Sequence, residues 1–191
     1  MIKAKIREKY RGLSRQELLG KAYELGSKYE FNSWSCSQTS VAALHELLDI
    51  DDVVVRVATS SAGGQASQAM GTCGGLIGGT MILDYYFGRP VEDLSYDESI
   101  PANLKSLGGA MEIADLLFHK YIEEYGTIIC PHLQMQLYGR HFYFKEPHEL
   151  EEFLKAGGHS DPEKCCNIVG NASRWVMEIL LDKSAVELHS A

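Results

Sequence analysis

Residues 71–79 read GTCGGLIGG and run directly into TMILDYYFG, which closes at Gly88. One cysteine and five glycines stand at the mouth of an apolar segment. The pattern is not a phosphate-binding loop, because no GxxxxGK[ST] occurs and no GxGxxG follows a strand-like run. The apolar segment behind Cys73 predicts a helix, and glycines on a helix let a second backbone or a bulky group approach closely. Gly74 and Gly78 share one face, and Gly75 and Gly79 the next, each pair at i, i+4 spacing. A second helix, or the inorganic sulfides of a cluster, would fit against that bare backbone. Gly71 and Gly74 also flank Cys73, so that N–H groups can point at its sulfur and tune what it binds.

Working outward, helical periodicity dominates. Ser14 and Glu17 form a capping box ahead of LLGKAYELGSKYEF. CSQTSVAALHELLDI carries Val41, Leu44, Leu47 and Leu48 at helical spacing. DDVVVRVAT is β-branched but begins on aspartates and is read as a short helix, and SSAGGQASQAMGT as a loop. The stretch 88–101 is polar and irregular. A long amphipathic helix, NLKSLGGAMEIADLLFHKYIEEYG, stops at Gly126, and two short helices follow, opening near Pro131 and Pro147. PEKCCNIVGNASRWVMEILLDKS ends the pattern. No repeat, low-complexity tract or linker divides the chain. The expectation is a mainly α fold, a single-domain helical bundle over residues 1–191. Within it, residues 1–30 supply N-terminal helices and residues 31–182 a four-cysteine redox domain.

The chain has 191 residues, enough for one domain with a sizeable core. A formal net charge of −8 argues against nucleic acid or an anionic membrane surface as partner. The basic N-terminus lacks an apolar core, so it does not read as a signal peptide. The longest apolar run is too short and glycine-rich for a membrane span. A cytoplasmic location follows as an expectation, and there thiols stay reduced. The five cysteines then read as metal ligands, redox thiols or core residues.

Four of them fall at predicted helix starts: Cys36, Cys73, Cys130 just before Pro131, and Cys165. Helix N-termini present free N–H groups and a positive dipole end, which favour thiolate. Helix starts converging on one anionic centre suit an iron–sulfur cluster held by thiolates. No CxxC pair marks a zinc ribbon or a thioredoxin motif, and no CxxCH marks c-type haem. Cys165 shares a helical face with Ile168, Val169, Ala172 and Val176. Cys166 lines up with Gly170, Ser173 and Met177, a row read as more peripheral, so Cys165 is the expected ligand of the pair. His159, in a loop six residues before Cys165, is a further candidate. His132 reads more readily as a helix-surface histidine than as a ligand or donor, and Arg140 either as a counter-charge to a cluster or as an ordinary surface cation.

CSQTSVAAL, GTCGGLIGGTM, ICPHLQMQLYGRHF and AGGHSDPEKCCNIVGNASRWVMEIL together resemble the C_GCAxxG_C_C family of redox-active proteins. The likeness is greatest to the non-haem portion of split-Soret cytochromes and spans roughly residues 30–182, most of one domain. The family motif is read on Cys73-Gly74-Gly75-Leu76-Ile77-Gly78, with Gly75 in place of alanine. The resemblance implies that Cys36, Cys73, Cys130 and Cys165 are the family's four cysteines. It implies a redox role with an iron–sulfur cluster, [2Fe–2S] or [4Fe–4S], on those thiolates, Gly74 and Gly75 lying against it. A homodimer and a redox partner protein are implied as well. Haem is not, since its attachment motifs are missing. Two other functions fit the same cysteines: a cluster-free thiol/disulfide oxidoreductase and a structural zinc site.

Overall fold

The computed structural model describes residues 2–96 and 101–188. Among the described residues there are eight α-helices and no extended strand. They are α1 (Arg15–Ser33), α2 (Cys36–Leu47), α3 (Asp52–Val57), α4 (Gly74–Phe87), α5 (Pro101–Tyr125), α6 (Cys130–Tyr138), α7 (Pro147–Lys155) and α8 (Cys165–Asp182). The mainly α expectation holds, and the β-branched DDVVVRVAT is helical as α3. Within the irregular stretch, Val91–Asp93 forms one 3₁₀ turn, and residues 97–100 lie outside the described residues.

The local signals act where the sequence places them. Ser14 accepts from Glu17 N–H while the Glu17 carboxylate returns to Ser14 N–H, which closes the capping box of α1. Gly88 ends α4, and Gly139 ends α6 in the left-handed region at φ 74°.

Two glycine contacts bring α1 and α8 together. A side chain at Gly26 would meet Ser173, and one at Gly170 would meet the Tyr23 ring. Helix α4 threads between α2, α5 and α8. An added Cβ at Gly78 would collide with the Ser37 carbonyl oxygen of α2. At Gly79 it would come 2.6 Å from Leu117 of α5 and 3.0 Å from Val176 of α8. The glycine-rich start of α4 therefore serves helix packing on both faces. The core beneath is apolar and includes Leu44, Leu83, Leu117, Tyr121, Trp175 and Val176. No helix among the described residues is long and apolar enough to cross a membrane.

Candidate redox centre

One backbone bridge sets the register of the site. Thr72 pairs antiparallel with Ile129, Cys73 N–H donates to Ile128 O at 2.8 Å, and Cys130 N–H donates to Gly71 O at 2.9 Å. That pairing lays the start of α4 beside the start of α6. Cys73 is the N-cap of α4, while Cys36, Cys130 and Cys165 are the first residues of α2, α6 and α8. All four line one cavity of about 230 Å³, together with Gly63, Gly74 and Gln134. Gly75 is close by: a methyl there would lie 3.7 Å from Cys73 Sγ and 2.7 Å from Tyr121 Oη. Cys166 does not line the cavity. It is fully buried, its thiol 3.6 Å from His159 O.

Each of the four sulfurs has a polar neighbour. Gly63 N–H donates to Cys36 Sγ at 3.4 Å, and Gln134 Nε2 donates to Cys130 Sγ at 3.4 Å. Tyr138 Oη lies 3.3 Å from Cys165 Sγ, and Tyr121 Oη 4.0 Å from Cys73 Sγ. Gln134 is held by a second bond, its Oε1 accepting Phe142 N–H at 2.8 Å. Donors aimed at sulfur stabilise the thiolate and tune a bound metal.

The loop that brings Gly63 to Cys36 is strained. Gly63, Gly64, Gln65, Ala66 and Ser67 all have positive φ, and so does Ala69. For a non-glycine residue that conformation costs about 1–3 kcal/mol and persists only where the surroundings impose it. Composition named this segment a loop but gave no sign of its left-handed run.

Burial overrides the helix ends in setting the thiol ionisation, contrary to the expectation of ready thiolates. Desolvation raises Cys36 well above its ordinary value and pushes Cys73 up to about 12. Burial raises Cys130 and Cys165 too, against lowering bonds from Gln134 and Tyr138. Cys36, Cys130 and Cys165 keep some exposed surface, and all three line the cavity. In the metal-free chain these are protonated thiols that a cation must displace protons to bind.

The row through Cys166 is not peripheral, as its mixed composition suggested. Gly170, Ser173 and Met177 are buried, and the first two pack on α1. Small and polar side chains sit there because two helix backbones meet closely. Of the other candidates, His159 lines the cavity. His132 is exposed, its Nδ1 3.3 Å from Thr127 Oγ1. Arg140 pairs with Glu149 and lies over the Phe142 ring, and it does not line the cavity.

Sequence reasoning missed Glu30, Trp34, Gln134 and Tyr138, all of which stand at or beside the cavity. Gln134 carried one signal, its position one helical turn beyond Cys130. Glu30 sits in an otherwise ordinary polar helix and carried none.

A scan against family profiles matches residues 34–179 to C_GCAxxG_C_C, described as "Putative redox-active protein". The chain belongs to the C_GCAxxG_C_C family. The match takes in all four cavity cysteines and every helix from α2 to the body of α8. The pattern in the family's name puts glycine before the cysteine and alanine after it. Here Thr72 and Gly74 hold those places, and the closing glycine falls at Gly78 rather than position 77, so the chain departs from the pattern at these positions. No curated protein and no solved structure matches the chain. A redox role is the shared property of the C_GCAxxG_C_C family.

Proposed function

We propose that Cys36, Cys73, Cys130 and Cys165 hold an iron–sulfur cluster and that the protein works in electron transfer. The observation that carries this reading is one cavity walled by four cysteines, each at the start of a different helix. Such a cluster, [2Fe–2S] or [4Fe–4S], would supply one-electron redox chemistry when bound. The chain's own residues would ligate it, direct hydrogen bonds at its sulfurs and limit its access to water.

Among the described residues no group of three or more His, Cys, Asp or Glu stands close enough to hold one metal ion. The support for the cluster is the shared cavity and its four helix-start thiols. Burial also holds these thiols protonated, which disfavours dithiol catalysis, since that needs a ready thiolate as attacking group. We take the homodimer as part of the same reading. Exposed Leu104, Met111, Phe118 and Ile122 along α5 support it, and a monomer mass by light scattering would remove it.

The test is protein made anaerobically with iron supplied, assayed for iron, acid-labile sulfide and visible absorption. Brown protein with both elements present is expected. Colourless protein with four titratable thiols and no metal would overturn the reading.

A further inference from the structure

The cavity is larger than the cysteines require. At the about 10–15 Å³ that one water needs, its 230 Å³ has room for roughly fifteen waters. A [4Fe–4S] core adds only eight inorganic atoms to the thiolates. Protein interiors do not leave the remainder void without reason.

The remainder has its own walls. His159 stacks on Trp34 with ring centroids 5.1 Å apart and planes 12° apart. Phe153 meets His159 edge-on at 5.2 Å, and Phe144 packs on Phe153 at 4.7 Å. Trp34, Phe144, Leu150, Phe153 and His159 all line the cavity. They form an apolar, flat-sided chamber with one polar pole.

That pole is Glu30. The residue is 1% exposed and lines the cavity. Its Oε2 accepts the Thr39 hydroxyl at 2.6 Å. Its Oε1 lies 3.2 Å from His159 Nδ1, an ion pair whenever that imidazole is protonated. A buried carboxylate is costly unless paired. No lysine or arginine lines the cavity to balance it. The four sulfurs beside it would add negative charge on ionising, so an anion is the wrong occupant.

We propose that the Trp34–Glu30–Phe153 end of the cavity binds a small flat organic molecule bearing a cationic or N–H donor group, which Glu30 receives. This rests on the reading of the cysteine end as the redox centre, and it gives that centre a small-molecule neighbour. The aromatic rings cover the flat body, and the carboxylate selects the charge.

The test uses the full chain, metal-free and reduced under argon, so that binding is read independently of cluster assembly. Benzylamine, benzyl alcohol and benzoate are titrated by ligand-observed NMR. Benzylamine is expected to bind, with benzoate about tenfold weaker or more, a loss equal to one charge-assisted contact. Glu30→Gln is expected to abolish the preference for the amine. Should that variant misfold by circular dichroism, Trp34→Ala decides the matter, because Trp34 is 52% exposed and can be truncated without opening the core. It is expected to weaken amine and alcohol alike. Absence of binding, equal affinity for benzoate, or unchanged binding in Trp34→Ala would overturn the proposal. Iron content measured separately on reconstituted protein shows whether the cluster reading stands or falls on its own.

Discussion

Gly74 leaves the space that Cys36 Sγ occupies. A methyl group at position 74 would collide with that sulfur and come within 2.9 Å of Ser37 N. Gly74→Ala is therefore expected to expel the Cys36 thiol from the cavity while leaving the helices in place. Iron retained after anaerobic reconstitution should fall about tenfold or more, the scale seen when a ligand's support is removed. Unchanged iron with unchanged circular dichroism would refute the argument.

Cys165 and Cys166 separate cleanly. Cys165 lines the cavity, and Cys166 is fully buried away from it beside His159 O. Cys165→Ser is expected to abolish iron binding. Cys166→Ser should retain it and lose about 1–2 kcal/mol of stability through a buried hydroxyl. Equal iron loss in the two variants, prepared side by side, would mean the wrong sulfur was assigned.

Glycine in this chain has two meanings that melting temperatures can tell apart. Gly78→Ala drives a methyl into the Ser37 carbonyl and should cost about 1–3 kcal/mol. Gly109→Ala, in the middle of α5 with nothing within 4 Å of the added atom, should gain about 0.5–1 kcal/mol. For a protein of this size each kcal/mol moves the melting temperature by about 2–4 °C. Shifts of the same sign would contradict the packing described.

The buried thiols make stability depend on pH in a definite direction. Cys73 ionises near 9.0 when unfolded and is pushed up to about 12 when folded, mainly by burial. The folded chain thus favours the protonated thiol. Its contribution is complete below pH 9.0 and is lost as pH climbs toward about 12. Metal-free protein should melt lower at alkaline pH than at neutral pH, with a smaller drop in Cys73→Ala. Metal affinity runs the other way, since binding releases the thiol protons and strengthens as pH rises. A melting temperature flat across that interval would exclude the effect.

Tyr138→Phe removes the hydroxyl 3.3 Å from Cys165 Sγ. A donor at sulfur favours the more negative, reduced state, so its loss should shift the potential of the reconstituted centre downward. Potentiometry giving an equal or higher value would assign the tyrosine another role.

The periodicity of apolar residues and the cap signals at Ser14, Gly88, Gly126 and Pro131 were enough to place the helices. They act within a few residues, so the linear sequence contains them. The gathering of the cysteines was legible only as a pattern of helix starts, because the bridge between Thr72 and Ile129 joins segments far apart in the chain. Ionisation was misjudged for the same reason. A helix dipole is local, whereas the burial that outweighs it comes from segments far apart in the chain that meet around one cavity. Glu30 and Trp34 stayed hidden because nothing near them in sequence distinguishes a carboxylate facing a cavity from one facing solvent.

Helices α6 and α7 pack lightly on the rest of the bundle. They are held by the aromatic group of Tyr138, Phe142 and Phe153 and by the cysteines at either end of their segment. A centre ligated by Cys130 and Cys165 would then cross-link both ends of residues 130–165 to the two other helix starts, closing that stretch into a tethered loop. Occupancy would be readable from outside as resistance to a protease. The filled protein would keep that stretch whole, and the emptied one would be cut there first, making the redox centre also the fastener of its own cover.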